Sequence, residues 1–354
     1  MSYTPFMAPF LSGLFGDKEV AEQFSISADM KAMLRFETAL AKAQAKHGII
    51  PNEAAETIEN AIEHFEPIMP KLALNTPQDG LVVPELIRQL RSHIGEPYQE
   101  YIHYGSTSQD VIDTSLILRL SEIIKIFEER LNSVTASLNK LDETFGSNPL
   151  MARTRMQAAL PASVSDRIAI WQNPNESNKK RLQNLKQAVL KLQLAGPIGK
   201  LEKLEDKGQA IRDEVANILN LNSTTKSWHT DRSALSEFVH WMMLVTGSLG
   251  KIGQDITLMA QQGIDEVAIE GGGGSSAMAH KKNPIKAEAL VTLAKFTNIQ
   301  ASGFGQSIVH EQERSGVNWS LEWLLMPQIC VAAGASMRVT NELLSSVSNM
   351  GNAK

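Results

Sequence analysis

From Ile117 the apolar residues fall at Leu120, Ile124, Phe127, Leu131, Val134, Leu138, Leu141 and Phe145, alternating steps of three and four without a break. That spacing keeps one apolar seam on a single helix face, and the seam must be covered by a neighbouring helix. The run predicts one helix of about 43 Å at ~1.5 Å per residue. The same alternation recurs at Leu235, Phe238, Met242, Val245, Leu249, Ile252, Ile256 and Met259. Three further stretches read as helical with less regular seams: 159–194 with an interruption around 173–178, 285–309, and 319–344 with a kink at Pro327. Five long helices make an all-α bundle the expected core. Before about Gly105 the helical pieces are shorter, such as 30–47, and are punctuated near Pro67, Pro70, Pro77, Gly80 and Pro84. Residues 1–104 are therefore expected to form a smaller N-terminal helical domain, and residues 105–349 the central bundle.

Charge and cysteine usage narrow the function. Across 354 residues, 39 acidic side chains oppose 34 basic ones for a net charge of -5, and no basic block offers itself to a phosphate backbone. Nucleic acid is not an expected partner. The single cysteine, Cys330, cannot form an intramolecular disulfide, and the start MSYTPFMAPF lacks a secretory pattern. The most apolar stretch, 238–252, is broken by His240, Ser248 and Lys251, short of the ~18 uninterrupted residues that suggest a membrane span. A cytoplasmic protein that does not enter a membrane is expected. The eight histidines include no pair at zinc-like spacing beside a carboxylate, and the glycine run before Lys281 lacks the order of a phosphate loop. Neither a metal nor a cofactor is expected.

Three polar, glycine-bearing segments at helix ends carry the chemistry. The first, His103-Tyr104-Gly105-Ser106-Thr107-Ser108-Gln109-Asp110, opens the first seam helix. A plain cap needs one acceptor, whereas Thr107, Ser108 and Gln109 place three donors beside unpaired helix N–H groups, a setting for a carboxylate. The second, Arg153-Thr154-Arg155-Met156-Gln157, sets two cations between Pro149 and Pro161; a solvated face explains it as well as an anion contact does. The third runs from Gly271 through Gly274, Ser275, Ser276, Met278, His280, Lys281 and Asn283 to Pro284, ahead of a helix carrying Glu288. A serine among bare N–H groups and a lysine can act as a base. A flexible linker would not explain the cation, amide and proline that follow at once.

In this order and spacing the segments resemble those of the fumarase/aspartase superfamily, whose members carry a TSxD-type segment, a GRTxxQ-type segment and the signature GSSxMxxKxNP. The resemblance implies a central five-helix bundle, a homotetramer with a twenty-helix core, and active sites shared between three subunits. Within the superfamily, Trp228-His229-Thr230-Asp231-Arg232, the run Gly247–Lys251 with Asp255, and His310-Glu311-Gln312-Glu313-Arg314 with Trp319, Glu322 and Trp323 are most similar to the bacterial 3-carboxy-cis,cis-muconate cycloisomerases. That branch closes a tricarboxylate diene to 4-carboxymuconolactone in the protocatechuate branch of the β-ketoadipate pathway. The resemblance then implies Ser275 as proton donor or acceptor, assisted by Lys281, with Asn283 on the same carboxylate. Thr107, Ser108 and Gln109 would bind another carboxylate, and His103, Thr154, Arg155, Gln157, Ser276, Met278, His280, Glu288 and Arg314 would complete the pocket.

Where many members place a leaving-group histidine, this chain has Arg155, a permanent cation that cannot serve as general acid. Adenylosuccinate lyase, the alternative together with related fumarate-releasing lyases, gains from such an acid; lactone opening expels a stabilised carboxylate and needs none. Glu288 stands where that histidine's partner is often found, so an Arg155–Glu288 ion pair is expected. Two other departures are Ala279 in place of the signature proline and the end of the chain at Lys354, short of the family's usual length, which leaves the C-terminal helical domain expected to be absent. A non-enzymatic, crystallin-like oligomer is the reading from a different class.

Overall fold

The computed structural model describes residues 4–274, 278 and 281–352. Ser275, Ser276, Ala279 and His280 lie outside the described residues. Short helices α1 (Ser12–Phe15) and α2 (Lys18–Glu22) lead into α3 (Ile26–Lys46), α4 (Asn52–Glu63), α5 (Met69–Asp79) and α6 (Val83–Ile94). The long helices follow: α7 (Ser108–Phe145), α8 (Val164–Val189), the shorter α9 (Gly208–Leu219), α10 (Ser233–Met259), α11 (Ile285–Phe304) and α12 (Val317–Ser345). Three two-stranded ladders decorate one end: β1 (Pro149–Thr154) with β2 (Gln157–Ser163), β3 (Val267–Ile269) with β6 (Val347–Met350), and β4 (Gly273–Gly274) with β5 (Lys282–Asn283). The fold is all-α in its core, a five-helix bundle of α7, α8, α10, α11 and α12.

Both seams are buried. Every residue of the α10 seam from Leu235 to Met259 belongs to one apolar core, as do Ile117, Leu120, Ile124, Phe127, Leu131, Val134, Leu138 and Leu141 of α7. Helices α10 and α11 approach closely because α10 presents Gly253: a Cβ there would stand 2.5 Å from the Ala287 carbonyl oxygen and 2.9 Å from Leu290 Cβ. A second core joins α3, α4 and α6 to the start of α7, and it also takes in Leu192, Leu194, Leu204, Ile211 and Val215 from the α8–α9 region. Val20 packs with the bundle core.

Two sequence expectations need correction. The polar run 173–178 does not interrupt α8, which continues through Pro174. Asn175 and Asn178 are buried because they bridge helices: the Asn175 amide donates to Thr135 Oγ1 at 2.9 Å, and the Asn178 amide donates to Ser248 Oγ at 3.3 Å. Residues 159–163 are strand rather than helix, since they form the second arm of the β1–β2 hairpin.

At the end of the bundle where α7 begins, three helices are joined by buried charge. The Arg232 guanidinium, just ahead of α10, donates to Asp113 of α7 at 2.7 and 3.1 Å and to Glu322 of α12 at 2.8 and 2.5 Å. All three residues are about 1% exposed. Trp319 Nε1 at 3.0 Å and Gln109 Nε2 at 3.2 Å complete the shell of Asp113. Burial alone would pull the Arg232 pKa down, yet the two carboxylates hold it above the ordinary arginine value. Removing one partner from such a cluster strands the others unpaired. Arg232→Ala is therefore expected to lower the free energy of unfolding in urea by about 3–5 kcal/mol, whereas Lys125→Ala, which removes the exposed pair with Glu122, changes it by less than about 1 kcal/mol.

Candidate active site

The first polar segment is held in place by α3. Gln44 Nε2 donates to the Tyr104 carbonyl at 2.6 Å, and Glu37 Oε1 lies 2.7 Å from His103 Nδ1. His103 and Gly105 both adopt positive φ, 61° and 73°, so the chain turns sharply before the helix starts. Asp110 then fixes the start of α7: it accepts from the backbone N–H groups of Thr107 at 3.0 Å, Ala195 at 3.0 Å and Gly196 at 2.9 Å, and pairs with His229 Nε2 at 2.8 Å. The Thr107 hydroxyl accepts from Arg314 Nη1 at 2.6 Å, which brings the α11–α12 connection over the N-terminus of α7. The half-buried Ser108 hydroxyl makes no hydrogen bond among the described residues. His103, Thr107, Ser108 and Arg314 thus converge on one helix N-terminus, where a hydroxyl, a guanidinium and the helix dipole all favour an anion.

Gln109 does not join them. It is fully buried, and its amide donates to the His229 carbonyl at 3.0 Å and to Asp113 at 3.2 Å. On α7 it lies two positions beyond Thr107, which turns it towards the buried charge cluster rather than towards the anion-binding face. The expectation of a substrate contact from Gln109 is corrected accordingly.

The second and third segments occupy the opposite end of the bundle. Thr154 pairs with Gln157 across a two-residue hairpin loop in which Arg155 and Met156 both have positive φ, 49° and 68°. That turn suits Asn-Gly, so a non-glycine pair there carries backbone strain, a condition found most often at functional sites. Thr154, Arg155 and Gln157 are all exposed. The hairpin is braced by Arg153 Nη2, 3.0 Å from Glu266, just ahead of β3. In the glycine-rich segment, Gly273 pairs with Asn283 and Gly274 with Lys282, so a two-residue ladder clamps the base of the loop that contains Ser275. Lys281 and Met278 are exposed and joined by a backbone hydrogen bond of 3.1 Å. Glu288 is exposed in the first turn of α11.

The expected Arg155–Glu288 ion pair does not form within the chain: among the described residues neither side chain has an ion-pair partner. The larger surprise is distance. Helix α7 has 38 residues, or about 57 Å at ~1.5 Å per residue, and it separates Thr107 from the hairpin. Helix α11 has 20 residues, or about 30 Å, and it separates Asn283 from the Arg314 connection. Within one chain, the Thr107–Arg314 contact and the β4–β5 ladder therefore stand apart by the length of a helix. Sequence reasoning also missed Glu37. Its signal is present, because Met30, Met33, Glu37, Leu40 and Gln44 follow the three–four alternation and put a carboxylate inside an apolar seam. Among the described residues no group of three or more histidine, cysteine, aspartate or glutamate side chains is placed to hold a metal, and no helix is long and apolar enough to cross a membrane.

Comparison with known proteins agrees with this architecture. Residues 7–299 match the lyase family. The chain is 33% identical over 348 residues to the 3-carboxy-cis,cis-muconate cycloisomerase of Acinetobacter baylyi, covering 96% of this chain and 77% of that protein. It is 34% identical over 320 residues to the enzyme of the same name from Pseudomonas aeruginosa, covering 88% of this chain and 70% of that one. The solved structure of the 3-carboxy-cis,cis-muconate lactonizing enzyme from Pseudomonas putida superposes with a TM-score of 0.89 at 31% identity, covering 97% of this chain and 77% of that chain.

The clamp at the loop base offers a test. A Cβ on Gly273 would stand 2.5 Å from Ile285 Cγ1, whereas one on Gly274 meets nothing within 4 Å. Gly273→Ala is expected to open the ladder and speed tryptic cleavage after Lys281 and Lys282 several-fold, with Gly274→Ala cleaved at the wild-type rate.

Proposed function

Because this chain belongs to the lyase family, in its fumarase/aspartase branch, we infer that it is a 3-carboxy-cis,cis-muconate cycloisomerase, converting that diene to 4-carboxymuconolactone. The observation that carries the reading is similarity over 96% and 88% of this chain to two enzymes of that name, at 33% and 34% identity. Arg155 agrees with it, since a leaving carboxylate needs no proton where other members keep a histidine. One substrate carboxylate adds to a double bond to form the lactone C–O bond, and a proton is delivered to the adjacent carbon. Nothing else enters or leaves.

The difficult point is the negative charge that develops on that carbon and spreads into its carboxylate, and catalysis requires donors placed where the charge appears. In our reading Ser275 delivers the proton, while Lys281 and Asn283 hold the carboxylate that receives the charge. Thr107, Ser108, His103 and Arg314, at the N-terminus of α7, hold a second carboxylate. Thr154, Arg155 and Gln157 on the hairpin, with Ser276, Met278, His280 and Glu288, line the remainder. Since one chain separates these groups by the length of its helices, the working site is assembled from several copies, and a homotetramer is the proposed form. Exposed apolar side chains support association: Met156 and Leu160 on the hairpin are 69% and 71% exposed, Ile299 on α11 71% and Leu324 on α12 67%. The division into an N-terminal domain, 1–104, and a central bundle, 105–349, belongs to the same proposal, although the second apolar core crosses that boundary to include Val111, Leu118 and Leu192. So does a cytoplasmic location, with which the buried free thiol of Cys330 is compatible.

Ultraviolet absorbance of 3-carboxy-cis,cis-muconate is expected to fall with the wild-type protein and not with adenylosuccinate as the alternative substrate. Ser275→Ala should lower the rate by about 10²–10⁴-fold; turnover of adenylosuccinate instead would overturn the assignment. Shared sites make a second prediction. Chains carrying Thr107→Val and chains carrying Ser275→Ala are each expected to be nearly inactive, and co-expressed mixtures to recover a measurable fraction of wild-type activity. A mixture no more active than its parts would contradict a site built from several copies.

A further inference from the structure

The four described histidines nearest the first polar segment and the charge cluster are placed differently. His229 is 3% exposed, with its Nε2 on Asp110. His310 has a buried ring with no hydrogen bond to either nitrogen, 3.6 Å from Glu322. His240 rests on the Ser236 carbonyl of its own helix. His103 alone combines a buried carboxylate on one nitrogen with an accessible edge. Its Nδ1 is 2.7 Å from Glu37 Oε1, a side chain with no exposure, while its own side chain is 16% exposed. Among the described residues Nε2 has no partner, and it is not sealed in.

We propose that Glu37 is a positioning residue for the active site, holding the His103 ring so that its Nε2 edge meets a substrate carboxylate beside Thr107 and Arg314. The inference rests on the cycloisomerase reading for the identity of that carboxylate. Its physical basis is local. The proton on Nδ1 goes to Glu37, which fixes the ring plane and leaves Nε2 facing outwards. Glu37 Oε2 is buried with no hydrogen-bond partner among the described residues, so the contact of Oε1 with His103 is what engages this carboxylate and fixes the ring. The positive φ of His103 is held by this contact together with the Ser106 hydroxyl, 2.9 Å from Nδ1, and the Gln44 bond to the next carbonyl. Glu37 thus couples the N-terminal helices to the anion-binding end of the bundle, a role separate from the reacting groups on the Ser275 loop.

The test uses the full chain and tricarballylate, a saturated tricarboxylate that cannot form a lactone, with binding measured by calorimetry. Glu37→Gln keeps an acceptor for Nδ1 and removes the charge. It is expected to weaken binding about tenfold, the loss of one charge-assisted hydrogen bond, and to raise KM for 3-carboxy-cis,cis-muconate by a similar factor while kcat changes little. His103→Gln should weaken binding equally, and the double variant no further, because Glu37 acts through His103. Unchanged binding in Glu37→Gln, additive losses in the double variant, or no tricarballylate binding by wild type would each overturn the proposal. Wild-type protein that binds tricarballylate but does not turn over the muconate would sink the cycloisomerase reading and leave the role of Glu37 standing.

Discussion

One guanidinium shared by two carboxylates governs the end of the bundle where an anion is expected to bind. Arg232 reaches Asp113 on α7 and Glu322 on α12 from the start of α10, and none of the three has water to fall back on. Such a cluster adds little net stability compared with apolar packing, but it tolerates no change of register, because a helix slipped by one residue would strand a buried charge. The apolar seams alone permit sliding by a turn; the cluster does not. Thr107 and Ser108 stand less than two turns before Asp113 on the same helix, and Arg314 less than three turns before Glu322 on the connection into α12. The Thr107–Arg314 contact thus depends on the register that the cluster sets.

The chemistry follows from how donors are distributed. The proposed carboxylate site is a helix N-terminus held by Asp110, Glu37 and Gln44. The segment that carries Ser275 grows from a ladder of only two residue pairs at the far end of the bundle, where the strained hairpin also lies. Under the proposed function, separation of the two parts by whole helix lengths makes oligomerisation a condition of catalysis rather than an addition to it.

Much of this was legible beforehand. The α7 and α10 seams predicted their helices and their burial, and the three polar segments were found where helices end. The failures have physical causes. The run at 173–178 looked like a break because asparagine and proline favour turns, yet Asn175 and Asn178 answer polar groups on α7 and α10, which local propensity does not register. The 149–163 hairpin was hidden because its strands are mostly exposed and lack apolar alternation. Gln109 reads as one more donor in a polar segment, and only the rotation of α7 shows that it points inwards.

What the sequence determined by itself is the set of helices, the face each one buries, and the inventory of groups able to bind anions or move a proton, because periodicity and residue chemistry are local properties. It even displayed the anomalies: Glu37, Asp113 and Glu322 are each a charge on an otherwise apolar helical seam. Tertiary structure alone decided which charges pair, that Glu37 meets His103 across 66 residues of chain, and that the N-terminus of α7 and the β4–β5 ladder lie at opposite ends of the bundle. Those outcomes depend on helix direction and on which partner offsets the desolvation of each buried charge, and neither is encoded in any single segment.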